Sequence, residues 1–281
     1  MVTIIRQSLA SATALLDAVS DTPRLDAELL MADALGVARD TLLMRHLDGA
    51  VPAGFAALLD RRLANEPLAY ITGIRDFWTI TLRVAPGVLI PRPDSETLIE
   101  AAVAHFSSHA PKRILDLGTG SGALLLAALA QWSGAQGLGI DASEKALEQA
   151  EMNAIDLGMA ERARFQTGDW AADVNGQFDL ILCNPPYVET TATLSPEVMN
   201  EPHDALFAGK DGLDDYRRII PQLPALIAPG GLIAVEIGHT QAAAVGALFA
   251  ASGMQSKCAH DLAGRDRAIL HFALGFGAEH A

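Results

Sequence analysis

The residues with the clearest chemical potential are Asn184, Pro185, Pro186 and Tyr187, which stand in succession after a short apolar run. Pro185 pushes Asn184 into an extended conformation, and two consecutive prolines fix φ and remove two backbone donors. The turn is therefore stiff and presents mainly acceptors. The Asn184 side-chain carbonyl and the Pro185 backbone carbonyl can accept both hydrogens of one planar NH2 group, with the Tyr187 ring over it. The predicted target is an amide or an exocyclic base amine.

This Asn-Pro-Pro-Tyr loop (residues 184–187) must be positioned by the apolar run before it, residues 178–183. A run of this length that is bounded by helix breakers is typical of a strand buried on both faces of a parallel sheet. Ligands of open α/β sheets bind outside the carboxyl ends of the strands. We therefore expect the loop to face a ligand crevice.

A second candidate site is the glycine loop (residues 118–122), which follows a predicted strand and opens a predicted helix. Glycines let the backbone turn tightly and let a ligand approach the helix N-terminus. The spacing is GxGxG rather than the dinucleotide GxGxxG, and no GKS or GKT follows, which disfavours NAD and ATP. The predicted cofactor contacts here are Gly118, Thr119, Gly120, Ser121 and Gly122.

Two further predicted strand ends carry side chains that suit a nucleoside. Asp141 ends the second strand, where a carboxylate can accept both ribose hydroxyls. Asp169 follows the third strand and can accept from an exocyclic amine, and Trp170 offers a face for adenine. Taken alone, the glycine loop fits an ordinary turn and Asp141 fits a helix cap. Together these groups lie at three successive strand ends.

The N-terminal part has helical spacing, because apolar residues recur at three and four from Ile4 to about Leu63. This pattern predicts a small helical bundle, which serves either packing and dimerisation or substrate recognition. The helical periodicity stops at about Asn65. Thr22-Pro23 is typical of a helix start and Gly36 of a helix end.

A hairpin is predicted next. Residues 77–82 alternate like a strand, residues 85–87 (Ala-Pro-Gly) predict a turn, and residues 88–90 can pair back. Arg92 then stands between two prolines, which hold it rigidly, and we expect it to shape the active site. The simpler alternative is a turn and a cap, in which Ser95 or Asp94 starts a helix that runs to about Phe106.

Beyond Pro111, strands and helices alternate, which predicts an open, mainly parallel sheet covered by helices. The predicted strands are 113–117, 137–140, 164–166, 178–183 and 231–237, with a closing hairpin at 255–259 and 268–273. The predicted helices are 123–131, 143–157, 214–227 and 241–251, the third of them kinked or broken by Pro221 and Pro224.

Composition excludes several classes of function. The net charge of -14 disfavours non-specific binding to nucleic acid or to an anionic membrane. The two cysteines, Cys183 and Cys258, lack CxxC spacing and predict free thiols in a reducing cytoplasm. No apolar run approaches the ~18 residues of a membrane span. The eight histidines show no HExxH pattern, so no metal site is predicted.

The glycine loop, Asp141, Asp169 and Trp170 together resemble the S-adenosylmethionine-dependent methyltransferase fold, and the Asn-Pro-Pro-Tyr loop resembles its amino-methylating branch. Further segments, in order, resemble the HemK/PrmC family, the release factor glutamine methyltransferases. Ser95 and Ser121 stand where Thr is common in that family, and both keep a hydroxyl. The segments that carry the resemblance are 65–68, 73, 77–78, 89–96, 116–122, 168–170, 184–187, 201–206 and 211–213.

The resemblance implies an α/β protein. We expect a Rossmann-like methyltransferase domain with a mainly parallel seven-stranded sheet, preceded by the helical bundle and a β-hairpin linker. The predicted divisions are residues 1–72 for a helical substrate-recognition domain, 73–92 for the hairpin linker and 93–281 for the methyltransferase domain.

It also implies a reaction, methylation of the side-chain amide nitrogen of the glutamine in the Gly-Gly-Gln motif of peptide chain release factors. Asn184, Pro185 and Tyr187 are then catalytic, and Asn184 also contacts the cofactor, S-adenosylmethionine. The substrate contacts are the loop residues, Pro186 included, with Phe77 and Arg92. Two alternatives remain: glutamine methylation of a ribosomal protein, and methylation of adenine or cytosine in nucleic acid. The acidic balance disfavours the latter, and the intact loop disfavours a module that only binds the cofactor.

Overall fold

The computed structural model describes residues 4–274, and contacts within the chain group them into two units. Among the described residues, the first unit contains residues 4–74 together with Leu194–Asn200, and the second contains Arg75–Thr193 and residues 201–274. The predicted three-part division stays a prediction. Its outer ends, residues 1–3 and 275–281, lie outside the described residues.

The first unit is the predicted helical bundle. Its helices are α1 Ile5–Leu16, α2 Pro23–Leu35, α3 Arg39–Arg45, α4 Phe55–Leu63 and α5 Leu68–Thr72. Pro23 lies in the first turn of α2 and Gly36 ends this helix at a φ of 65°, as predicted. Beyond Asn65, where the helical periodicity of the sequence stops, the structure has one more helix, α5, which is too short to show a periodicity.

The segment Leu194–Asn200 is tied to the bundle by polar contacts. Arg62, whose side chain is buried, donates to Asp26 at 2.8 Å and to Glu197 at 2.8 Å. A buried guanidinium without such partners would be strongly destabilising. Asn200 also donates from Nδ2 to the backbone oxygen of Asn65 at 3.0 Å. The chain that follows the Asn-Pro-Pro-Tyr loop therefore contributes to the first unit before it returns to the second.

Residues 85–87 form the predicted turn, in which the Val88 N–H donates to the Ala85 oxygen at 3.3 Å, but this turn does not connect the strands of the predicted hairpin. The hairpin that forms has the strands β1 Ile74–Phe77 and β2 Ile80–Arg83, which pair in a two-stranded sheet, so that its turn falls at Trp78 and Thr79. Trp78 adopts a left-handed φ of 53°, and its N–H donates to Glu96 Oε1 at 2.8 Å. A bulky residue with positive φ is rare, whereas the Ala-Pro-Gly segment at 85–87 has ordinary turn composition. The predicted returning strand at 88–90 does not form.

The second unit is built on the predicted seven-stranded sheet, with the order β5-β4-β3-β6-β7-β9-β8. Strands β3 to β7 pair in parallel, and β9 joins β7 and β8 in antiparallel pairs. The strands are β3 Arg113–Leu117, β4 Gln136–Asp141, β5 Ala163–Thr167, β6 Phe178–Cys183, β7 Ile227–Glu236, β8 Lys257–His260 and β9 Asp266–Phe272. The predicted strand composition and the mainly parallel arrangement are confirmed.

The helices of this unit pack on both faces of the sheet and leave two apolar clusters, one against each face. They are α6 Glu96–His105, α7 Ala123–Gln131, α8 Glu144–Asp156, α9 Asp214–Ile219 and α10 Ala242–Ala251. The predicted break near the prolines is confirmed, since α9 passes into a 3-10 turn at Ile220–Ala225 that contains Pro224. None of the described helices is long and apolar enough to cross a membrane.

The sheet register explains why the candidate residues meet. Leu117 at the end of β3 pairs with Ile140 on one side and with Cys183 on the other, and Cys183 pairs in turn with Val235. The strand order also reverses between β3 and β6, which opens a crevice at the carboxyl edge. The loops after β3, β4, β6 and β7 therefore gather at one edge of the sheet.

Candidate active site

Two adjoining cavities lie at this edge, one of about 540 Å³ and one of about 40 Å³. Their linings share Leu89, Gly118, Gly120 and Asn184, so the glycine loop and the Asn-Pro-Pro-Tyr loop form the border between them. The larger cavity is also lined by Asp141, Asp169, Trp170 and Pro186, and the smaller one by Phe77, Ser95, Thr119 and Ser121.

The glycine loop is shaped by positive φ angles at Gly118, Gly120 and Gly122, of 71°, 56° and 83°. A Cβ on Gly118 would lie 3.0 Å from the Trp170 ring, whereas a Cβ on Gly120 would meet nothing within 4 Å. Gly122 lines neither cavity and instead caps α7, where a Cβ would lie 2.9 Å from Leu126. The open space at Gly120 leaves this backbone accessible to a ligand.

Asp116 lies directly below the glycine loop and is fully buried. Its Oδ2 accepts from the Thr119 hydroxyl at 2.7 Å, whereas Oδ1 has no hydrogen-bond partner among the described residues. Burial raises the pKa of Asp116 to about 7, although the Thr119 hydroxyl and the Leu125 N–H act in the opposite direction. Asp116 lines neither cavity, so its carboxylate can favour a cationic ligand only through its charge and not by direct contact.

Asp141 joins the end of β4 to the glycine loop. Its Oδ2 accepts from the Gly120 N–H at 2.8 Å and its Oδ1 from the Ser143 N–H at 2.9 Å. Burial raises the pKa of Asp141, and these backbone donors lower it. Each carboxylate oxygen can accept a further hydrogen bond, so the predicted contact with two ribose hydroxyls fits the geometry.

Asp169 and Trp170 both line the larger cavity, but they are less free than the sequence suggests. Asp169 forms an ion pair with Arg218, and the Trp170 Nε1–H donates to Asp215 at 3.2 Å. Asp215 and Arg218 line the same cavity, and both were missed by sequence reasoning. Their only sequence signal is a run of charged residues at the start of α9, which is common on solvent-facing helices.

Asn184 lines both cavities, and its orientation follows from one hydrogen bond. Its Nδ2 donates to Ser95 Oγ at 3.1 Å, and nothing among the described residues donates to its Oδ1. Ser95 occupies the N-cap position of α6, as the sequence predicted it could, but its side chain makes no capping hydrogen bond to this helix. The amide oxygen of Asn184 remains available as an acceptor.

The rest of the loop is held from behind. Pro186 lines the larger cavity, whereas Pro185 and Tyr187 line neither of the two cavities. The Tyr187 hydroxyl donates to Glu236 Oε1 at 3.3 Å, and the Tyr187 backbone oxygen accepts from Gln241 Nε2 at 3.0 Å. Burial raises the pKa of Tyr187 well above its usual value, so this phenol stays protonated and donates.

A glycine is required beside this loop. Gly212 has a φ of 68°, and a Cβ there would lie 2.3 Å from the Tyr187 backbone oxygen. The Gly212 carbonyl also accepts from Gln241 Nε2 at 3.2 Å. This close approach gives a physical reason for the glycine in the segment at 211–213.

The two predicted substrate contacts outside the loop differ in position. Phe77 is almost fully buried and lines the smaller cavity. Arg92 lines neither cavity and forms an ion pair with Glu201, which is buried and also accepts from the Ile90 N–H at 2.9 Å. Glu201 therefore fixes the segment around Arg92, a role that sequence reasoning missed although Glu201 begins one of the family segments.

One group of potential metal ligands occurs among the described residues. Cys258, His260 and Asp266 lie on the β8–β9 hairpin with their ligand atoms within 4.8 Å of one another. His260 Nε2 already lies 3.1 Å from Asp266 Oδ1, and burial raises the pKa of Cys258 to about 11, which keeps it a thiol. These groups are separate from the two cavities.

The fold resembles that of solved methyltransferases. The hMettl16 catalytic domain matches with a TM-score of 0.58 and 16% identity over 76% of this chain and 82% of that chain. A methyltransferase from Pyrococcus furiosus matches with a TM-score of 0.51 and 16% identity over 69% and 88%. The sheet order, the open glycine loop and the carboxylates at the strand ends define an S-adenosylmethionine-dependent methyltransferase.

Sequence relatives narrow this class. The PrmC N-terminal domain model matches residues 7–73 and the methyltransferase small domain model residues 93–209. The release factor glutamine methyltransferase of Caulobacter vibrioides is 41% identical over 95% of this chain and 96% of its own length, and that of Rhodospirillum rubrum is 44% identical over 89% and 79%. The chain belongs to the release factor glutamine methyltransferase family, and the predicted resemblance is confirmed.

Proposed function

We propose that the protein transfers a methyl group from S-adenosylmethionine to the side-chain amide nitrogen of the glutamine in the Gly-Gly-Gln loop of peptide chain release factors, in the cytoplasm. The observation that carries this proposal is the orientation of Asn184. Because its NH2 group donates to Ser95, its Oδ1 is left to accept from a substrate N–H. The names of the relatives, release factor glutamine methyltransferases, agree with this choice of substrate.

An amide nitrogen is a poor nucleophile because its lone pair is delocalised into the carbonyl group. Acceptors at Asn184 Oδ1 and at the Pro185 backbone oxygen would bind both amide hydrogens and aim the nitrogen at the methyl carbon. As the nitrogen becomes more pyramidal and positive, its N–H groups donate more strongly, so both acceptors stabilise the transition state more than the ground state. The Tyr187 ring would pack against the amide plane.

The cofactor supplies an electrophilic methyl group on a sulfonium. The amide nitrogen forms a bond to the methyl carbon while the carbon–sulfur bond breaks, and the amide proton leaves afterwards. Asp141 would accept the ribose hydroxyls, the backbone at Gly118 and Gly120 would face the cofactor, and Trp170 would contact the adenine. The charge of the buried Asp116 carboxylate would favour a cationic ligand.

This acceptor pair also sets specificity. A glutamate side chain lacks the NH2 donors and would leave Asn184 Oδ1 and Pro185 O unpaired, which polar sites discriminate against strongly. The alternatives also offer NH2 groups, a glutamine on a ribosomal protein and a base amine on nucleic acid. The net charge of -14 disfavours the nucleic acid.

The test is transfer of labelled methyl from S-adenosylmethionine to purified release factors, with a ribosomal protein and DNA as competing acceptors. Matched controls are release factors with the loop glutamine changed to alanine or to glutamate. We expect labelling of the unchanged release factor alone. Labelling that survives the glutamine-to-alanine change, or that appears mainly on the ribosomal protein or DNA, contradicts the proposed function.

A further inference from the structure

Glu236 is a buried carboxyl that the reaction described above does not use. It ends β7, the neighbour of the strand that carries the Asn-Pro-Pro-Tyr loop, and it is fully buried. Its Oε1 accepts from the Tyr187 hydroxyl at 3.3 Å. Its Oε2 is completely buried and has no hydrogen-bond partner among the described residues. A buried acceptor of this kind is costly unless it has a role.

Ser95 connects this carboxyl to the other side of the loop. The Ser95 side chain is buried and interacts with the Glu236 carboxyl, which lowers the pKa of Glu236. The same Ser95 oxygen accepts from Asn184 Nδ2 at 3.1 Å. Glu236 is therefore bonded directly to Tyr187, and its pKa responds to Ser95, the hydroxyl that accepts from Asn184.

The direction of these hydrogen bonds follows from counting hydrogens. A serine hydroxyl has a single hydrogen, and a carboxylate can only accept. When Ser95 donates to Glu236, it can only accept from Asn184, which turns the Asn184 NH2 group toward Ser95 and its Oδ1 toward the cavities. Without this constraint the amide can rotate by about 180°, because its oxygen and nitrogen ends have nearly the same shape.

We propose that Glu236 is a positioning residue, which accepts from Ser95 and Tyr187 and so fixes Asn184 with its acceptor oxygen toward the substrate amide. The inference rests on the proposed function, because it assigns to Glu236 the polarity that glutamine binding requires. Glu236 lies outside both cavities, and in this proposal it decides whether the loop can recognise an NH2 group.

The charged surroundings of Glu236 make this polarity dependent on pH. Burial raises the pKa of Glu236 to about 7, and Ser95, Arg267 and Tyr187 act in the opposite direction. Above this pKa the carboxylate only accepts; below it, the protonated carboxyl can donate to Ser95 and reverse the chain. The titratable groups that face it are Asp94, Cys183, Tyr187, Tyr216 and Arg267.

The first test is Glu236→Gln, which keeps the shape but adds an NH2 donor toward Ser95. Ser95 would then donate to Asn184 Oδ1 and turn the Asn184 NH2 group toward the substrate. We expect methyl transfer to the release factor to lose about 10- to 100-fold in kcat, with cofactor affinity by calorimetry changed less than about twofold. The wild-type rate should also rise with pH around 7, and this step should vanish in the variant.

The second test changes Ser95 instead, because a Glu236 variant that fails to fold would not test the positioning role of Glu236. Ser95→Thr keeps the hydroxyl and should retain most activity, whereas Ser95→Ala should lose about tenfold in kcat. Adding Glu236→Gln to Ser95→Ala should cost little more, because the connection is already broken. Thermal unfolding of each variant measures any purely structural loss.

Three results would overturn the proposal. They are an unchanged kcat in Glu236→Gln, a loss of cofactor affinity that accounts for the whole defect, and fully additive losses in the double variant. The wild-type enzyme is assayed in parallel. Failure of the wild type to label any release factor contradicts the proposed function, whereas normal labelling by wild type and variants alike contradicts only the role of Glu236.

Discussion

Asp116 and Glu236 are two buried carboxyls at the same edge of the sheet. They differ in their bonding partners, and each belongs to a different half of the site. Both are fully buried, burial raises the pKa of each to about 7, and each has one oxygen without a hydrogen-bond partner among the described residues. Asp116 bonds Thr119, three residues away, within the glycine loop. Glu236 bonds Tyr187, 49 residues away, and interacts with Ser95.

The comparison shows two ways of stiffening a binding loop. On the cofactor side, one short segment carries the carboxylate, its hydroxyl donor and the glycines that open the backbone. On the acceptor side, the loop is held by groups from β7, from the turn before α6 and from Gln241 before α10. We therefore expect variants on the two sides to separate cofactor binding from methyl transfer.

The largest expected effect is on the acceptor side. Asn184→Ala removes the proposed side-chain acceptor for the substrate amide, and we expect a loss of about 10²- to 10³-fold in kcat with cofactor affinity largely retained, similar to loss of one oxyanion-hole donor. Steady-state kinetics with a release factor and calorimetry with S-adenosylmethionine measure the two quantities. Near-normal turnover would contradict the expected difference between the cofactor side and the acceptor side.

A smaller effect of the opposite kind is expected at Asp141. Asp141→Ala removes the proposed acceptor for the ribose hydroxyls and leaves the Gly120 N–H without its partner, so cofactor affinity should fall about 10- to 100-fold. Asp141→Asn is the matched control, because it keeps one acceptor and should lose less. An unchanged calorimetric affinity in Asp141→Ala would refute the assigned role.

The Asp116→Asn variant tests the cofactor side of the site through the pH dependence of cofactor affinity. Because the raised pKa of Asp116 lies near 7, its carboxylate forms above this value, and a cationic cofactor should bind the wild type more tightly at pH 8 than at pH 6. We expect the variant to lose this dependence and about tenfold in affinity at pH 8. Titrations at both pH values decide it, and a variant that keeps the wild-type pH dependence contradicts the role of Asp116.

The same variant should gain stability where the wild type loses it. A carboxyl whose pKa is raised by folding contributes stability that is present below its unfolded pKa and is lost as pH rises through about 7. Asp116→Asn cannot ionise, so its melting temperature relative to wild type should increase from pH 5.5 to pH 8. A constant difference in melting temperature would show that folding does not raise the pKa of Asp116 into this range.

The smallest effect is expected for Tyr187→Phe. The variant keeps the ring that packs on the amide and removes only the 3.3 Å hydrogen bond to Glu236, so kcat should fall about two- to fivefold. Tyr187→Ala, which also removes the ring, is the matched comparison and should lose more. Equal losses in the two variants would assign the whole contribution to the hydroxyl.

Much of the fold could be predicted because its signals are local. The strands 113–117 and 178–183 and the helix 123–131 form at the predicted bounds, since apolar runs between breakers specify them. The position of the hairpin turn could not be predicted, because it depends on Trp78 in a left-handed conformation that is held by the Glu96 carboxylate. Composition alone favours the Ala-Pro-Gly segment, which the structure leaves outside any strand.

The candidate site likewise contains residues that have a local sequence signal and residues whose roles depend on contacts distant in sequence. The glycine loop and Asp141 could be proposed from the sequence because the loop directly follows one strand, and Asp141 ends another, at the crevice. Ser95 was expected as a possible helix cap, and its contact with Asn184, 89 residues away, has no sequence signature. The same holds for Arg218, whose ion pair with Asp169 occupies an acceptor that the sequence left free for adenine.

The most direct test of this division is the single-turnover rate of methyl transfer to a release factor at saturating S-adenosylmethionine, measured for Asn184→Ala and Asp141→Ala. Saturation compensates a defect in cofactor binding but not a defect in holding the amide. The predicted result is that Asp141→Ala recovers most of the wild-type rate, whereas Asn184→Ala remains at least about 100-fold slower. Recovery by Asn184→Ala, with Asp141→Ala still slow, would contradict the account.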